Sequence, residues 1–366
     1  MSAGTAAVLA ALHRACGRAC SGEALSAELG VSRAAIWKQI ETLRKRGYEV
    51  DGSPGGGYSL RAVPDRLYAE EISRRLTTRW LGRELTYLDS TDSTNRVAFE
   101  LATRGAAHGT AVVAEQQTAG RGRLGRTFFS PAYQNLYTSI VLRPELTIAE
   151  APTLILTSAV AVAETVAETL VGEPQGAARA SVDSPRIEIK WPNDVLVDGL
   201  KTSGILMEMS TEGTRTAFVI LGIGVNLNVS RDSFPEEFRR HATSLRTHLP
   251  DGSAIDRVQF TARLYGKLED VLDVHAASGF PGLRSRFDAC FRMPGRSVEV
   301  AGMNGEILRG VARGIASDGA LEVETTRGTI ERVVAGDVTL SPRKHPGTRG
   351  AQRRNNGPRS AGEKTS

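Results

Sequence analysis

The chain has 366 residues, of which 40% are hydrophobic and 24% are charged, with a formal net charge of +5. At roughly 150 residues per domain the length predicts two or three domains, and the composition is typical of a soluble globular protein. Residues 342–366 contain seven Lys or Arg against one Glu, so this tail supplies +6 and the rest of the chain sums to −1. This excludes a generally basic nucleic-acid-binding protein, and any such binding must come from a local face.

Cysteine usage and hydropathy favour a cytoplasmic protein. Cys16, Cys20 and Cys290 are too few for a disulfide framework, and no second cysteine pair completes a zinc site. Residues 5–12 are apolar but lack the basic start of a signal peptide, so we expect them to open a first helix. No run reaches the roughly 18 consecutive apolar residues of a transmembrane span, so no membrane partner is expected.

Residues 1–65 are predicted to form a winged helix-turn-helix domain. A short helix ends at Gly30, and Ser32 is placed to cap the next helix, whose apolar residues repeat at helical spacing. Two strand-like runs around residues 53–56 then predict a hairpin, the wing. A helix, a glycine-containing turn and a second helix form the arrangement whose second helix enters the DNA major groove.

The outward side of that second helix carries the predicted DNA contacts, which are Ser32, Arg33, Ala34, Trp37 and Lys38. Residues 44–46 (Arg-Lys-Arg) at its end are expected to reach phosphates and to fix the orientation on DNA. Glu41 is repelled by phosphate but could accept a hydrogen bond from a cytosine amine. The alternative is a helical bundle whose charged face is only solvated, but the turn, polar helix face and wing in this order favour DNA binding.

A central domain is predicted over residues 67–280, after a linker at 62–65. Strand-like runs alternate with helical stretches, which indicates an α/β or α+β domain with a mixed, mostly antiparallel sheet. The strand-like runs are 84–88, 110–115, 136–142, 186–190, 204–209 and 216–227. Residues 171–184, rich in Gly, Pro, Ala and Ser, are expected to form a surface loop.

Residues 290–341 are predicted to form a small β-barrel, because four short strand-like runs are joined in part by Asn-Gly and Asp-Gly turns. These runs are 297–300, 305–312, 321–325 and 329–334. Residues 342–366 have almost no apolar side chains, so we expect a disordered basic tail.

Glycine and positive charge are concentrated at residues 120–126, Gly-Arg-Gly-Arg-Leu-Gly-Arg, here called the glycine-rich loop. Arginine offers paired donors to phosphate or carboxylate, and glycine lets the backbone approach a ligand closely. Taken alone, a solvated basic turn or a disordered RNA-binding segment would explain the loop equally well. Residues 190–194 (KWPND) follow, and Lys201 lies two residues past a predicted hairpin turn at 198–199, from which its ammonium can reach a cleft.

The central domain lacks the motifs of several enzyme classes. It has no Gly-x-Ser-x-Gly elbow, no paired-histidine zinc motif and no Gly-Lys-Ser/Thr ending the glycine-rich loop, so covalent hydrolases, zinc enzymes and P-loop NTPases are poor fits. The arginines of the glycine-rich loop and the lysines at 190 and 201 suit the stabilisation of an anionic transition state. Transfer of an adenylyl group to a carboxylate is such a reaction. Lys190 and Lys201 could still be exposed salt-bridge lysines, and Asp194 could hold Mg²⁺ or orient a lysine.

Together these residues resemble the bifunctional biotin–protein ligases that also act as biotin operon repressors. The motifs that carry the resemblance are 117–119 (QTA) before the glycine-rich loop, 190–194, 201–206 (KTSGIL), 222–226 (GIGVN), 21–40 and the wing at 54–60. The likeness covers residues 5–341 in the same domain order. It implies a class II synthetase-like central domain and an SH3-like C-terminal barrel.

The resemblance implies a reaction in which biotin and MgATP give biotinoyl-5′-AMP, from which a lysine of a biotin carboxyl carrier domain takes the biotin. The implied biotin-binding residues are Ser93, Thr94, Asn95, Gln117, Arg121, Gly122, Arg123 and Lys201. The implied ATP-binding residues are Lys190, Asn193, Asn226, Phe128 and Arg313. The implied catalytic residues are Lys201, Arg123 and Asp194.

The resemblance also implies binding of operator DNA by a ligand-promoted homodimer that presents two recognition helices. Phe128 stands where the family commonly has a tryptophan that packs on adenine, and an aromatic plane is kept. The predicted recognition helix carries Trp37 and Glu41, so the family's operator sequence cannot be assigned to this protein. Two alternatives are a lipoate or octanoate ligase and a ligand-sensing regulator without catalysis. The DNA-binding domain argues against the first, and the retained Lys201 and Asp194 argue against the second.

Overall fold

A computed structural model describes residues 1–53, 56–171, 185–302 and 306–340. The wing tip, the predicted surface loop beyond Val171 and the predicted disordered tail at 342–366 lie outside the described residues. The helices are α1 (Ala3–Arg14), α2 (Gly22–Leu29), α3 (Arg33–Lys45), α4 (Ala69–Arg75), α5 (Thr94–Thr103), α6 (Thr153–Val171), α7 (Glu236–Arg239), α8 (Arg257–Ser278) and α9 (Arg284–Cys290). The strands are β1 (Glu49–Ser53), β2 (Gly57–Ala62), β3 (Leu85–Leu88), β4 (Ala111–Ala114), β5 (Leu136–Leu142), β6 (Ile187–Lys190), β7 (Asp194–Val197), β8 (Leu200–Glu212), β9 (Arg215–Val225), β10 (Ser297–Ala301), β11 (Ile307–Ile315), β12 (Leu321–Thr325), β13 (Ile330–Val333) and β14 (Asp337–Leu340).

The N-terminal domain is a three-helix unit followed by an antiparallel hairpin of β1 and β2. The side chain of Ser32 accepts a hydrogen bond from the Ala35 amide and caps α3, as predicted. Gly30 ends α2 in the left-handed conformation, with φ of 65°. Ile36 of α3 is fully buried in a core separate from the central one, whereas the next residue, Trp37, is 57% exposed. The predicted helix-turn-helix and hairpin are confirmed.

Arg44 does not offer its guanidinium to phosphate as the sequence predicted. Its Nε and Nη2 donate to the Val50 carbonyl of the wing at 3.0 and 2.7 Å. Its Nη1 donates to Glu41 at 2.6 Å, so the acid on the predicted recognition helix is already paired within the domain. A buried backbone acceptor and a nearby carboxylate use the donors of Arg44, which explains the difference.

Arg46 also departs from the prediction, because it faces the central domain. Its guanidinium lies 3.9 Å above the centre of the Tyr68 ring and 3.4 Å from Glu70. The cation–π contact with Tyr68 and the contact with the Glu70 carboxylate both hold the guanidinium of Arg46 against the central domain. Of the three basic residues at the end of α3, Lys45 is the exposed one.

Glu71 on α4 is the buried centre of the contact between the two domains. It is fully buried, lies 2.9 Å from His13 Nε2, and accepts a hydrogen bond from the Tyr48 hydroxyl at 3.2 Å. Burial raises the pKa of Glu71, but the contacts with His13, Arg74 and Tyr48 outweigh it and leave the pKa below its ordinary value. The ionised carboxylate therefore stabilises the docked domain.

This pKa shift predicts an acid-sensitive contribution to stability. A lowered folded-state pKa adds stability above the ordinary glutamate pKa of about 4.3, and that stability is lost as the pH falls through the folded value. We expect the free energy of unfolding in urea to fall less between pH 6 and pH 3 in Glu71→Gln than in the wild type. Glu23→Gln, at an exposed carboxylate of α2, serves as the control. Equal pH dependence in Glu71→Gln and the wild type would contradict this assignment.

The linker between the two domains is fixed by a buried ion pair. Arg257, at the start of α8, is fully buried and donates to Glu115 at 2.7 Å, and Glu115 is also fully buried. Arg257 further donates to the side chain and carbonyl of Asp65 in the linker, at 2.9 and 2.6 Å. The Leu67 amide donates to the second oxygen of Glu115 at 2.8 Å. The linker therefore follows a defined path over the central domain.

The central sheet has seven strands in the order β3-β4-β5-β9-β8-β7-β6. Only the β3–β4 pairing is parallel within the described residues, so the predicted mixed, mostly antiparallel sheet is confirmed. Side chains alternate between the two faces. Val112 and Ile220 pack with α5, whereas Val113 and Leu221 belong to the larger core that contains α6 and α8. Beyond α5 the first face stays open, and the candidate site lies there.

Helix α6 is, by length and composition, apolar enough to cross a membrane, and it is the one such helix in the described part of the chain. Its most apolar window has a mean hydropathy of 1.7 and is 61% buried inside the protein. Residues such as Ala159 and Val160 are fully buried in the central core. This burial is the pattern of a core helix.

The C-terminal residues form a five-stranded antiparallel sheet in the order β13-β12-β11-β10-β14. The sequence predicted four of these strands and missed β14, which follows Gly336 and is only four residues long. Strand β14 pairs with β10 and reaches back over the central domain. This missed strand closes one side of the candidate site.

Candidate functional site

A cavity of about 940 Å³ lies between the open face of the central sheet, the glycine-rich loop, the segment 237–241 and β14. All but two of the residues predicted to bind biotin or ATP line it. The predicted residues in its wall are Ser93, Thr94, Asn95, Gln117, Arg121, Gly122, Arg123, Phe128, Lys190, Asn193, Asp194 and Lys201. The structure therefore brings together segments that lie more than 100 positions apart in the chain.

The glycine-rich loop is an ordered hairpin. The Gly122 amide donates to the Arg126 carbonyl at 2.7 Å, and the Phe128 amide donates to the Gly120 carbonyl at 2.9 Å. Gly125 at the tip has a φ of 74°, a left-handed conformation that glycine adopts at little cost. The hairpin projects its arginines over the cavity.

Two arginines of the loop are held from the far side of the cavity. Arg123 Nη1 donates to Asn193 Oδ1 at 3.4 Å and to the Gly336 carbonyl at 3.2 Å. Arg126 pairs with Asp337 of β14 at 2.5 Å. Burial lowers the pKa of the Arg123 guanidinium, although Asp194 and Asp337 oppose the shift. A partly desolvated cation that stays charged favours an incoming anion.

Lys201 and Asp194 form an ion pair in the wall of the cavity. Lys201 Nζ lies 2.7 Å from Asp194 Oδ1, and the two residues lie on the adjacent strands β8 and β7. A β-carbon at Gly204 would lie 3.1 Å from Lys201 Nζ, so the missing side chain makes room for the ammonium. Of the two roles that the sequence left open for Asp194, the geometry favours orientation of the lysine.

The floor of the cavity is made by glycines beneath larger side chains. A β-carbon at Gly224 would lie 2.6 Å from the ring of Phe128, and one at Gly222 would lie 2.0 Å from Asn95 Oδ1. Gly224 pairs directly with Gly204 across strands β9 and β8. The two strands therefore form a flat platform on which Phe128 and Asn95 rest.

Hydrogen bonds around Thr94 order the other end of the cavity. Gln117 Oε1 accepts from the Thr94 amide at 2.9 Å and from its hydroxyl at 3.1 Å. The Ser139 hydroxyl lies 2.7 Å from Thr94 Oγ1 and 2.6 Å from Asn95 Oδ1. Ser93 begins α5 without a capping hydrogen bond from its side chain. This end offers mainly neutral polar groups, with the ion pair of Arg121 and Glu208 beside Asn95. Arg123, Arg126 and Lys201 lie at the other, charged end, near Asn193, Asp337 and Asp194.

Asn226 does not line the cavity, and its predicted contact with the nucleotide stays a prediction. It is buried, donates to the Thr243 carbonyl at 3.1 Å, and lies 3.3 Å from the Asn135 amide nitrogen. The Thr243 amide in turn donates to the Lys201 carbonyl at 2.8 Å. Asn226 therefore supports the strand of Lys201 from behind.

Arg313 also lies outside the cavity. It is half-exposed on β11, beside a bulge between Ala312 and Gly314, and pairs with Glu324 of β12. The bulge and the cross-strand carboxylate direct the guanidinium along the C-terminal sheet. The C-terminal residues that do reach the cavity are Arg296 and Asp337 to Leu340.

Sequence reasoning missed the segment around α7 as well. Glu237, Phe238, Arg240 and His241 line the cavity. The His241 carbonyl accepts from the Lys201 amide at 2.8 Å, so this segment pairs with the start of β8. No repeat or motif marks it in the sequence. The sequence between β9 and α8 has no strong apolar pattern, and only this absence of a regular core element could have pointed to a loop segment near the cavity.

The comparisons with known proteins divide the chain in the order predicted. Residues 6–59 match an HTH domain, residues 87–226 match the biotin/lipoate A/B protein ligase family, and residues 295–341 match the biotin protein ligase C terminal domain. The bifunctional ligase/repressor BirA of Bacillus subtilis is 38% identical over 320 residues, which cover 87% of this chain and 93% of that protein. The chain belongs to the bifunctional biotin–protein ligase family. BirA of Escherichia coli is 32% identical over 320 residues, covering 87% of this chain and 92% of that protein.

A solved structure of a biotin–protein ligase has the same fold over most of the chain. The biotin protein ligase from Aquifex aeolicus in complex with biotin and ATP matches with a TM-score of 0.58 and 27% identity. The match covers 71% of this chain and 99% of that chain. The family predicted from the sequence motifs is thus confirmed.

Proposed function

We propose that this biotin–protein ligase activates biotin with ATP and transfers it to a lysine of a biotin carboxyl carrier domain. The observation that carries the proposal is the placement of Lys201, paired with Asp194, together with Arg123 in the wall of one cavity. A cavity with one neutral polar end and one cationic end fits an apolar acid joined to a nucleotide. Relatives named ligase/repressor, and a solved relative with biotin and ATP, support the same substrates.

In the first step a biotin carboxylate oxygen bonds to the α-phosphorus of ATP while the bond to the bridging oxygen of pyrophosphate breaks. Two anions must meet, so fixed cations are needed where charge accumulates. Lys201 can contact both the carboxylate and the α-phosphate, and Arg123 lies across the cavity from the platform of β8 and β9. The reaction needs no covalent bond to the enzyme.

In the second step the amine of the carrier lysine bonds to the acyl carbon, the acyl–phosphate bond breaks, and AMP leaves as the amine loses a proton. The mixed anhydride reacts with water, so the hairpin of the glycine-rich loop would protect it by covering the cavity. The three loop arginines and Asp337 set how firmly that hairpin closes.

Mg²⁺ belongs to the proposal through ATP. No cluster of three or more His, Cys, Asp or Glu able to hold a metal exists among the described residues. Magnesium in nucleotide sites is held by one or two carboxylates together with substrate phosphates. Asp194 and Asp337 are the aspartates in the wall of the cavity, but they already pair with Lys201 and Arg126, so the ion would be held mainly by the phosphates of ATP. The ion would neutralise phosphate charge and leave Lys201 to position the carboxylate.

The N-terminal domain is proposed to repress transcription in response to biotinoyl-AMP. Arg33, Ala34, Trp37 and Lys38 are exposed on one side of α3, and Ser32 caps the same helix. A homodimer promoted by the adenylate would present two such helices to a two-fold operator. In a gel shift with the protein's own promoter region, biotin and ATP should tighten binding, and Trp37→Ala should weaken it. Binding that is unchanged by the adenylate would remove the regulatory half of the proposal.

The decisive experiment measures the mass of an isolated carrier domain after incubation with the protein, ATP, Mg²⁺ and biotin. A biotin-sized increase is expected, and it should depend on ATP. Replacing biotin with lipoate or octanoate tests the first alternative, because a lipoate ligase would modify a lipoyl domain instead. A wild type that tightens DNA binding with biotin but never modifies the carrier would favour the sensor without catalysis.

The platform beneath Asn95 gives a sharp prediction for Gly222→Ala. The new β-carbon would lie 2.0 Å from Asn95 Oδ1, so Asn95 must leave its place at the neutral end of the cavity. Displacement of a binding group by about 1 Å can cost up to about 100-fold, and we expect the KM for biotin to rise at least about tenfold. Gly266→Ala on α8, where the nearest atom would be 3.8 Å away, is the matched control. Steady-state pyrophosphate exchange measures both, and an unchanged KM in Gly222→Ala would argue against biotin at this end.

The proposal divides the chain into domains at 1–65, 67–280 and 290–341. It also assigns a class II synthetase-like character to the central domain, an SH3-like character to the C-terminal sheet, and a cytoplasmic location to the protein. An apolar core formed almost entirely by residues 8–63, to which Tyr68 adds its ring, supports the first division. Five short antiparallel strands support the third.

A further inference from the structure

The backbone of Lys201 is bound by a segment that follows the central sheet in the chain. One extra residue of β8, Thr202, has no partner on β7, and this bulge lies directly after Lys201. The Lys201 amide donates to the His241 carbonyl, and the Lys201 carbonyl accepts from the Thr243 amide, both at 2.8 Å. A bulge re-aims the side chains next to it, so the direction of the lysine depends on its contacts with residues 241–243.

His248 joins this segment to the turn that precedes Lys201. Its Nε2 lies 2.9 Å from the Thr243 hydroxyl oxygen, and its Nδ1 lies 3.3 Å from Asp198 Oδ2. Asp198 begins the turn with a φ of 50°, and its amide and its Oδ1 bond to the carbonyl and the amide of Arg186, both at 2.9 Å. The side chain of His248 is only 14% exposed, so water competes little for its two contacts.

The two ring nitrogens of His248 have different roles in this arrangement. Burial lowers the pKa of His248 below its ordinary value, although Asp198 opposes the shift, so the ring is neutral at pH 7. A carboxylate only accepts hydrogen bonds, so Nδ1 donates to Asp198, and Nε2 accepts from the Thr243 hydroxyl. One imidazole therefore closes a ring of contacts that runs from the turn through Thr243 to the backbone of Lys201.

We propose that His248 is a positioning residue for Lys201. It fixes the segment that binds the lysine backbone relative to the turn, and this sets the direction from which the ammonium meets Asp194 at 2.7 Å. His248 lies outside the wall of the cavity, so it contacts neither substrate. The proposal deepens the biotin–protein ligase function and rests on it for the role of Lys201. The hold on the ammonium can be measured without any substrate.

The first test measures how readily the amine of Lys201 reacts with acetic anhydride in the full-length protein, with each lysine quantified by peptide mass spectrometry. Lys267 is the internal reference, because it pairs with Glu168 and its side chain is 33% exposed against 36% for Lys201. An ion pair at such exposure is worth a small factor, so in His248→Ala we expect the acetylation of Lys201 relative to Lys267 to rise about two- to fivefold. His108→Ala, at a histidine outside the cavity, should leave the ratio unchanged.

The second test asks whether His248 acts through Lys201. ATP–pyrophosphate exchange is measured in His248→Ala, in Lys201→Ala and in the double variant. Misplacement of a catalytic group by about 1 Å can cost up to about 100-fold, and we expect the kcat of His248→Ala to fall about tenfold. In the Lys201→Ala background the same change should cost less than about twofold, because the ammonium that His248 positions is absent. A merely structural role would lower the kcat by equal factors in both backgrounds.

Variants of Thr243 test the same contact without changing the imidazole. Thr243→Val keeps the shape but loses the hydroxyl, so its kcat should fall by the same factor as that of His248→Ala. Thr243→Ser keeps the hydroxyl and should stay within about twofold of the wild type. If His248→Ala lowers the melting temperature, this pair of variants decides, and a Thr243→Ser variant as slow as Thr243→Val would contradict the role of the hydroxyl.

Equal factors in the two backgrounds, or an unchanged acetylation ratio in His248→Ala, would overturn the proposal. A wild type that exchanges pyrophosphate with none of biotin, lipoate and octanoate would defeat the proposed function. The acetylation ratio would still decide whether His248 holds Lys201, because it needs no substrate.

Discussion

Replacing Lys201 with alanine is expected to lower the rate of adenylate formation by about 100- to 1,000-fold, the range seen when one donor to a developing anion is removed. The ammonium lies 2.7 Å from Asp194 in the wall of the cavity, where it can face both the carboxylate and the α-phosphate. Its removal also leaves the Asp194 carboxylate without its partner, which adds repulsion toward both substrates. ATP–pyrophosphate exchange measures the first step alone.

Lys267→Ala is the matched control for this variant, because Lys267 also pairs with a carboxylate, that of Glu168, but does so between α8 and α6, outside the cavity. Its exchange rate should equal that of the wild type. Lys201→Arg keeps the charge with a different shape and should fall between the two. An exchange rate in Lys201→Ala within about threefold of the wild type would mean that the loop arginines carry the charge stabilisation alone.

Replacing the buried Arg257 with alanine is expected to destabilise the protein. Removing one partner of a buried ion pair typically costs about 3–5 kcal/mol, and Arg257→Ala should lower the free energy of unfolding by this amount. The variant leaves Glu115 fully buried without the guanidinium of Arg257, and it removes both contacts to Asp65 in the linker. Unfolding in urea, followed by circular dichroism, measures the loss.

Arg263→Ala, an exposed position on the same helix, controls for the change of helix composition and should lose less than about 0.5 kcal/mol. The double variant Arg257→Met with Glu115→Gln removes both charges and should recover part of the stability. If the double variant were no more stable than Arg257→Ala, the packing of the guanidinium rather than its charge would be the source of the effect.

Local features of the sequence were enough for the N-terminal domain. The cap at Ser32 and the end of α2 at Gly30 are decided within a few residues, so the pattern predicted both correctly. The charge on α3 was harder to interpret. Nothing near Arg46 in the sequence reveals that Tyr68 and Glu70 will lie beside it, because that contact depends on how two domains dock.

The central site was predicted by motif rather than by geometry. The motifs named residues that do meet in one cavity, but sequence cannot distinguish a buried amide that supports a strand from one that faces a ligand, and Asn226 is of the first kind. Strand β14 and the segment at α7 were missed for a related reason. Arg126 and Asp337 are 211 positions apart, and no short-range sequence pattern can predict such a pairing.

The path of the linker has a consequence for biosynthesis. Asp65 and its buried partner Arg257 are separated by 192 positions. At about 5–20 residues per second, a ribosome needs about 10–40 s to add that stretch. The helix-turn-helix unit has its own apolar core and can fold during this interval, but its connection to the catalytic body cannot be locked until α8 is translated. During this interval the residues of the N-terminal core can already be complete, while the linker still lacks its contact with Arg257.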